Sequence, residues 1–280
     1  MGNRKVLVTG ANGYIGAHVI NELLKTGHEI IASDVCTDNI PASAKVISAD
    51  IFAENTDAYA LAGEPDTLIH LAWRNGFNHN AQTHIEDLPK HIAFLTKMIE
   101  SGVKNISVMG SMHEVGYWEG AITADSPTNP MSFYGIAKNA LRQAVELIAK
   151  KNDVKLHWLR GYYIYGDDRR SNSVLGKILE AEERGQEEFP FTSGKNLYDY
   201  ISVDELARQI VAASLQNEYC GIINCCSGKP ISLGEMTENF IKRNGLKIRL
   251  KYGAFPDRAY DSPGVWGDAT VINKILSLGE

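Results

Sequence analysis

The sequence predicts an α/β protein with a doubly wound parallel sheet and a smaller α/β lobe at the carboxyl end. Short β-branched or apolar runs alternate with longer segments of helical period through residues 1–165. Parallel neighbours need long connections, and right-handed crossovers place helices on both faces of the sheet. A glycine-rich turn follows the first apolar run directly. After residue 165 the alternation loosens, which predicts a second lobe over 166–280, partly interleaved with the first domain.

The elements are predicted in chain order from these patterns. The apolar runs that predict strands are KVLVT, EIIAS, KVISA, DTLIHLA, NISVMG and KLHWLRGYYIYG. Helical period predicts helices over 13–26, 83–101, 132–150, 172–185 and 203–216. The segment FPFTSGKNLYD predicts a loop, and residues 221–224 predict a strand. Ser232 and Glu235 match a capping box and predict the start of a further helix.

The composition excludes several classes of function. The 280 residues are 44% hydrophobic and 22% charged, with a net charge of −6. This charge provides no general basic field for nucleic acid or an anionic membrane. No apolar run approaches the roughly 18 residues that span a bilayer, and a strand begins at once, so we expect a soluble, cytoplasmic protein. The cysteines form no CxxC pair, so we expect reduced thiols rather than structural zinc.

The spacing of Gly10, Gly13 and Gly16 between a strand and a helix predicts a dinucleotide site of the Rossmann type. Glycine permits the tight turn and the approach of backbone amides to a pyrophosphate, while Gly16 allows close helix–sheet packing. Asp34 ends the second strand, where a carboxylate accepts hydrogen bonds from the adenosine ribose and repels a 2′-phosphate. NAD(H) is therefore favoured, and NADP(H) stays open. The alternative is that Asp34 only begins a turn.

Tyr134 and Lys138 are one helical turn apart and share a helix face. The phenol of an isolated tyrosine has a pKa of about 10. We expect the Lys138 ammonium to lower the pKa of Tyr134, so that the phenol acts as a general acid or base near neutral pH. Ser111, at the end of the preceding strand, adds a hydroxyl at the sheet edge where such folds bind ligands. The alternative is a surface aromatic residue beside a solvated lysine.

With these motifs the sequence resembles the extended short-chain dehydrogenase/reductase superfamily, specifically its nucleotide-sugar epimerases, dehydratases and 4-ketoreductases. The matching segments are TGANGYIG, HLAW, YGIAK, LRGYYIYG, YDYISVDELA, and RAYD followed by WGD, which together extend over nearly the whole chain. The resemblance implies an NAD(P)-dependent enzyme that acts on a nucleotide-diphosphate sugar held by the carboxyl-terminal lobe. It also implies that Tyr134 moves the proton, Lys138 holds the cofactor ribose and Ser111 binds the reacting oxygen.

The resemblance further implies two sets of binding residues. The cofactor set is Gly10, Gly13, Tyr14, Ile15, Gly16, Asp34, Asp50, Ile51, Leu71, Ala72, Trp73, Tyr134, Lys138 and Tyr162. The substrate set is Ser111, Met112, His113, Tyr163, Ser173, Phe191, Tyr198 and Arg258. Phe191 is alternatively a core residue.

One departure from the family pattern concerns the reaction. Family 4,6-dehydratases carry Thr-Asp-Glu where this chain has Ser111, Met112, His113 and Glu114. The missing aspartate argues against dehydration. His113 or Glu114 can still serve as an auxiliary acid or base; alternatively they are a loop histidine and a solvated glutamate.

A second departure concerns the diphosphate. Tyr163 and Tyr198 replace an asparagine and a phosphate-binding arginine of the family pattern. Arg258 is therefore the expected diphosphate ligand, because a guanidinium suits phosphate geometry. Arg169 and Arg170 are alternative cations.

These observations favour a 4-ketoreductase that reduces a nucleotide-diphosphate 4-keto-6-deoxyhexose to a product of the dTDP-fucose or dTDP-6-deoxytalose type, for surface-polysaccharide precursors. The alternative is an NAD-dependent 4-epimerase that uses the same three residues. A cofactor-sensing regulator is disfavoured, because the proton-transfer pair is retained. The histidines at 79, 84 and 91 lack zinc spacing, so no metal is expected. The resemblance also implies a homodimer formed by helices 83–101 and 132–150.

Overall fold

The dominant feature of the fold is a seven-stranded sheet in which every neighbouring pair is parallel. The computed structural model describes residues 3–53, 56–166, 173–257 and 261–279. The strands in spatial order are β12 (Gly221–Cys225), β7 (Lys155–Gly161), β5 (Asn105–Ser111), β4 (Thr67–His70), β1 (Lys5–Thr9), β2 (Glu29–Asp34) and β3 (Lys45–Ser48). This order confirms the predicted doubly wound α/β fold.

The order of the strands reverses between β1 and β4, and this places a crevice at the carboxyl edge of the sheet. From β1 the chain proceeds to β2 and β3 on one side, then crosses to β4 and β5 on the other. Thr9 pairs with His70 across the reversal, and Ser111 pairs with Gly161 at the same edge. Open parallel sheets bind ligands outside such a reversal point.

Helices cover both faces of this sheet. Their bounds are α1 (Tyr14–Leu23), α2 (Ala58–Leu61), α3 (Thr83–Ser101), α4 (Phe133–Lys151), α5 (Val174–Glu183), α6 (Val203–Leu215), α7 (Leu233–Arg243) and α8 (Thr270–Ser277). Successive residues of β1 point to opposite faces. Val6 and Val8 pack with α1, α6 and α8, whereas Leu7 packs with α3 and α4. A strand buried on both faces explains the continuous apolar runs in the sequence.

A smaller sheet and two strand pairs form the second lobe. The sheet has the order β13 (Ile231–Ser232), β10 (Leu197–Tyr198), β15 (Gly264–Gly267) and β6 (Gly120–Ile122). The pairs are β8 (Tyr163–Tyr165) with β11 (Tyr200–Ser202), and β9 (Glu188–Pro190) with β14 (Arg249–Lys251). Because β6 belongs to the lobe sheet while β12, α6 and α8 belong to the large sheet, the two parts of the chain are interleaved.

Serine side chains set the starts of four helices. The hydroxyls of Ser132, Ser173, Ser202 and Ser232 each accept a hydrogen bond from the backbone N–H three residues later, at 3.1–3.2 Å. These are the N-cap bonds that begin α4, α5, α6 and α7. The serine half of the predicted capping box is thus present at Ser232. A box with both bonds forms at Ser111 and Glu114, at the start of a 3₁₀ turn over Met112–Glu114.

Gly16 lies at the closest approach of α1 to the turn after β1. A Cβ at this position would lie 2.0 Å from the carbonyl oxygen of Gly10. Gly10 itself has a φ of 72°, and a Cβ there would lie 2.6 Å from the backbone nitrogen of Ala72. Only glycine fits both positions. In the described part of the chain, no helix is both long and apolar enough to cross a membrane.

Candidate active site

A cavity of about 1290 Å³ opens at the carboxyl edge of the large sheet. Its walls are the glycine turn after β1, the ends of β4, β5 and β7, the first turn of α4, and the second lobe. This is larger than the roughly 300–1,000 Å³ typical of a pocket for one small ligand. The cavity therefore has room for a cofactor and a second molecule side by side.

Ser111, Tyr134 and Lys138 come together on the wall of this cavity. The backbone N–H of Tyr134 donates to the carbonyl of His79 at 2.9 Å, and the Ser111 hydroxyl accepts from the backbone N–H of His113 at 3.2 Å. Lys138, only 3% exposed, donates from Nζ to the carbonyl of Met109 at 2.8 Å. The arrangement places a phenol, a hydroxyl and an ammonium at one point of the sheet edge.

The expectation that Lys138 lowers the pKa of Tyr134 does not hold for the free chain. Burial raises the pKa of Tyr134 to about 12; the hydrogen bond from Ser111 opposes this shift, and the charge of Glu114 adds to it. The Lys138 ammonium lies 5.9 Å from the centroid of the Tyr134 ring but only 3.8 Å from that of Trp73. Burial also lowers the pKa of Lys138 to about 7, against the opposing charge of Glu114.

Glu114 lies behind Ser111 in the protein interior, so both sequence-based alternatives for it are wrong. It is 0% exposed and does not line the cavity. Its Oε1 accepts hydrogen bonds from Ser111 N at 2.6 Å and from Trp158 Nε1 at 2.9 Å. Glu114 therefore holds the backbone of Ser111 in place and does not reach a substrate.

Two arginines balance the charge of Glu114. Arg160 Nη2 lies 3.5 Å and Arg142 Nε 3.8 Å from Glu114 Oε2. Neither nitrogen has a hydrogen-bond partner among the described residues, so these contacts are Coulombic. Burial raises the pKa of Glu114, and Arg160 opposes that shift most strongly.

Two histidines line the cavity beside Tyr134. The His79 ring stacks on the Tyr134 ring at 5.1 Å and 12°, and the His113 ring lies 4.2 Å from that of His79. Burial lowers the pKa of both histidines, that of His113 to about 4, so both are neutral at neutral pH. His113 was expected here, and His79 was missed. The available signal was its position in a polar segment that follows a strand ending at the same sheet edge.

The glycine turn fits a dinucleotide pyrophosphate. Gly13, Tyr14, Ile15 and Gly16 line the cavity, and no described side chain caps the start of α1 at Gly13. The first-turn amides at the positive end of the helix are thus the natural ligands for an anion. Leu71, Trp73 and Tyr162 continue the lining toward Tyr134.

The other expected cofactor residues lie outside the cavity lining. The Asp34 carboxylate accepts hydrogen bonds from the backbone N–H groups of Asn12 at 3.0 Å and Cys36 at 3.3 Å, which holds the end of β2. Asp50 accepts from Phe52 N at 2.9 Å, while Ile51 packs in the core beside α3. Ala72 lies against Gly10.

The expected substrate residues divide into three groups. Met112, Tyr163, Ser173 and Tyr198 line the cavity, and the Tyr163 and Tyr198 rings are 4.4 Å apart. Phe191 is instead a core residue: it is 3% exposed and packs edge-on against Tyr252 at 5.6 Å. Arg258, like Arg169 and Arg170, lies outside the described residues. Lys138 is the one lysine or arginine among the described residues of the lining.

Comparison with known proteins identifies the family. The family model described as "NAD dependent epimerase/dehydratase family" matches residues 6–226. The chain belongs to this family. Membership confirms the resemblance read from the sequence and the prediction of an NAD-linked enzyme. Within the described residues, no cluster of three or more His, Cys, Asp or Glu side chains has the arrangement of a metal site.

Individual members of the family are similar over almost their full length. The dTDP-6-deoxy-L-talose 4-dehydrogenase (NAD(+)) of Aggregatibacter actinomycetemcomitans is 48% identical over 267 residues, which cover 94% of this chain and 98% of that protein. A putative UDP-glucose 4-epimerase of Methanocaldococcus jannaschii is 24% identical, with 98% of this chain and 92% of that protein covered.

Solved structures of the family share the fold. A UDP-N-acetylglucosamine 4-epimerase from Methanobrevibacter ruminantium M1, in complex with UDP-N-acetylmuramic acid, superposes with a TM-score of 0.85 at 19% identity, covering 98% of this chain and 92% of that one. A UDP-glucuronic acid 4-epimerase from Bacillus cereus, in complex with UDP-glucuronic acid and NAD, superposes with a TM-score of 0.81 at 21% identity, covering 97% and 92%.

The Glu114 network generates a stability prediction. Glu114→Gln removes the charge that balances Arg142 and Arg160, and breaking a buried ion pair typically costs about 3–5 kcal/mol. We expect a loss of that order in the free energy of unfolding, measured by urea denaturation at neutral pH. The matched control is Glu146→Gln, because Glu146 pairs with Arg142 at the surface; its loss should stay below about 1 kcal/mol. Equal losses in the two variants would contradict the buried network.

Proposed function

We propose that the protein is an NAD-linked 4-ketoreductase of nucleotide-diphosphate 6-deoxyhexoses, with a product of the dTDP-6-deoxytalose or dTDP-fucose type. The observation that carries the proposal is the meeting of Tyr134, Ser111 and Lys138 on the wall of one cavity that also reaches the glycine turn. The 48% identity with a dTDP-6-deoxy-L-talose 4-dehydrogenase supports this choice of substrate. A role in supplying surface-polysaccharide precursors follows from the product class.

The glycine turn, Trp73 and Lys138 would hold the NAD(H), which when bound would provide hydride transfer to or from carbon 4 of the sugar. Tyr134 exchanges the proton of the 4-oxygen, and Ser111 hydrogen-bonds that oxygen and the phenol. Since burial raises the pKa of Tyr134 to about 12, the free chain holds the phenol in its protonated form. A protonated phenol is the form needed to give a proton to the oxygen produced by reduction.

The position of Glu114 supports a reductase over a dehydratase. Elimination of water in the family dehydratases needs two acids beside the hydroxyl residue. Here Met112 and His113 line the cavity after Ser111, while Glu114 is buried behind it. His113 is neutral, because burial lowers its pKa to about 4. His79 and His113 thus offer the sugar uncharged hydrogen-bonding groups.

The diphosphate ligands are a separate part of the proposal. Among the described residues of the lining, Lys138 alone carries a lysine or arginine charge. We assign the diphosphate to Arg258, with Arg169 and Arg170 as alternatives. Tyr163 and Tyr198 supply phenol groups and an apolar ring surface to the cavity.

Replacement of Tyr134 tests the proposed chemistry. Tyr134→Phe removes the proton donor, so NADH-dependent reduction of a dTDP-4-keto-6-deoxyhexose should fall by about 10²–10⁴-fold. NADH consumption is followed by absorbance. Tyr219→Phe is the matched control, because Tyr219 lies outside the cavity lining; its rate should stay within about twofold of the parent. An unimpaired Tyr134→Phe enzyme would overturn the assignment.

The stoichiometry of the same reaction distinguishes reductase from epimerase. A reductase consumes one NADH for each sugar reduced. An epimerase retains its NAD and interconverts two hydroxyl sugars with no net consumption, even though it uses the same three residues. Tightly retained NAD and redox-neutral turnover would therefore favour the epimerase alternative.

We also propose that the protein is a homodimer formed through α3 and α4. Leu141 and Val145 of α4 are fully buried against the chain's own sheet, so they do not supply the interface. Ile136 and Leu147 are 42% and 72% exposed and lie on one outward stripe of α4. On α3, Ile85 is also exposed.

The dimer proposal predicts a mass of twice 30.8 kDa in solution. Leu147→Arg places a charge in the apolar interface and should shift the mass, measured by light scattering, to that of a monomer. Leu61→Arg is the control, because Leu61 is also an exposed leucine, at 51%, but lies on α2. A parent protein that is monomeric at micromolar concentration would contradict the proposal.

A further inference from the structure

Lys138 is a buried cation without a neighbouring buried anion in direct contact. Its side chain is 3% exposed, and Nζ donates to the Met109 carbonyl at 2.8 Å. Among the described residues, no carboxylate forms an ion pair with it. A buried charge is costly unless something other than water stabilises it. One carbonyl oxygen satisfies only one of the three donors of an ammonium.

The indole ring of Trp73 supplies a second contact. Lys138 Nζ lies 3.8 Å from the ring centroid, well inside the distance of roughly 6 Å at which a cation is attracted to an aromatic face. Tryptophan gives the strongest such attraction among the aromatic residues.

The ring is held in place by its own partners. Trp73 Nε1 donates to His84 Nδ1 at 3.0 Å, and the ring stacks on His91 at 4.4 Å and 20°. His91 Nδ1 lies 2.8 Å from His70 Nε2, and His70 Nδ1 lies 2.7 Å from Thr9 Oγ1. Burial lowers the pKa of His91 to about 3, so a neutral imidazole stacks on the ring.

We propose that Trp73 is a positioning residue for Lys138, with the face of its ring holding the ammonium at the cavity wall and stabilising its charge. The importance of this contact for catalysis rests on the proposed function, in which Lys138 serves the cofactor. The contact itself is a property of the free chain. Lys138 therefore has an aromatic partner, whereas no carboxylate among the described residues forms an ion pair with it.

Four other titratable groups lie near Lys138, and one of them, His91, also stacks on Trp73. They are Tyr134 on α4, Glu114 in the 3₁₀ turn, His91 on α3 and His70 on β4. Glu114 raises the pKa of Lys138, whereas burial lowers it, to about 7. The two histidines are neutral because burial lowers the pKa of each. Trp73→Phe keeps an aromatic ring beside both Lys138 and His91, whereas Trp73→Leu removes it, so the two variants are compared.

The test is a direct titration of Lys138 in the free protein by NMR of isotope-labelled lysine side chains. The Lys138 resonance is the one that disappears in Lys138→Met. We expect Trp73→Leu to lower the Lys138 pKa by about one unit and Trp73→Phe by less, because Phe keeps a weaker aromatic face. At neutral pH a shift of that size reduces the charged fraction of Lys138 from about one half to about one tenth. An unchanged Lys138 pKa in folded Trp73→Leu would overturn the proposal.

A second measurement decides the question if Trp73→Leu does not fold. Incorporation of 5-fluorotryptophan keeps the shape of all four tryptophans and weakens the negative face of each ring. The Lys138 pKa should fall on fluorination of the parent but not of Trp73→Phe, where the ring in question is absent. Equal shifts in the two backgrounds would exclude Trp73 as the cause. Neither measurement uses a substrate, so failure of the proposed reaction would leave this result intact.

Discussion

The active site depends on how the last three residues of β5 are held. The carbonyl of Met109 accepts a hydrogen bond from the ammonium of Lys138. Ser111 is the N-cap residue of a capping box whose other member is Glu114. Gly110 lies between Met109 and Ser111, and a Cβ there would lie 2.2 Å from Trp158 Nε1, so the strand end packs directly on the Glu114 network. One strand end therefore positions the hydroxyl of Ser111 and the ammonium of Lys138 on the cavity wall that Tyr134 shares. Any movement of this strand end would displace all three groups.

Burial, more than the charge of a neighbour, sets the protonation of these groups. It raises the pKa of Tyr134 and lowers the pKa of Lys138, so both neutral forms are favoured. Glu114 raises both pKa values, which favours the neutral phenol and the charged lysine. A neutral phenol beside a charged lysine is the combination that proton donation to a reduced carbonyl requires. The buried carboxylate behind Ser111 thus supports the chemistry without touching the reacting groups.

The sequence was sufficient to predict the fold and to predict that Ser111, Tyr134 and Lys138 meet at one edge of the sheet, because both follow from local patterns. The glycine spacing places a helix start after β1, and a four-residue spacing puts Tyr134 and Lys138 on one face. Serine N-caps mark the helix starts in the same way. The sequence signals at helix ends are weaker, and the predicted ends of α1, α5 and α6 lie one to three residues beyond the observed ends.

The remaining features depend on residues that are distant in sequence. Glu114 is buried because Trp158 and Arg160 reach it from β7. Phe191 is a core residue because Tyr252 covers it. The pKa of Tyr134 could not be predicted from Lys138 alone. The Lys138 ammonium lies closer to the ring of Trp73, which follows β4, than to the ring of Tyr134. The carbonyl of His79 accepts a hydrogen bond from the backbone N–H of Tyr134, which places His79 at the site. No spacing in the sequence indicates this contact.

The most direct test of the account is the fate of the hydride. With NADH carrying deuterium at the transferable position of the nicotinamide and a dTDP-4-keto-6-deoxyhexose, the account predicts a product with one deuterium at carbon 4 for each NADH consumed. NMR and mass spectrometry of the sugar nucleotide measure both quantities. A product without deuterium, or interconversion of 4-epimers with no loss of NADH, would contradict it.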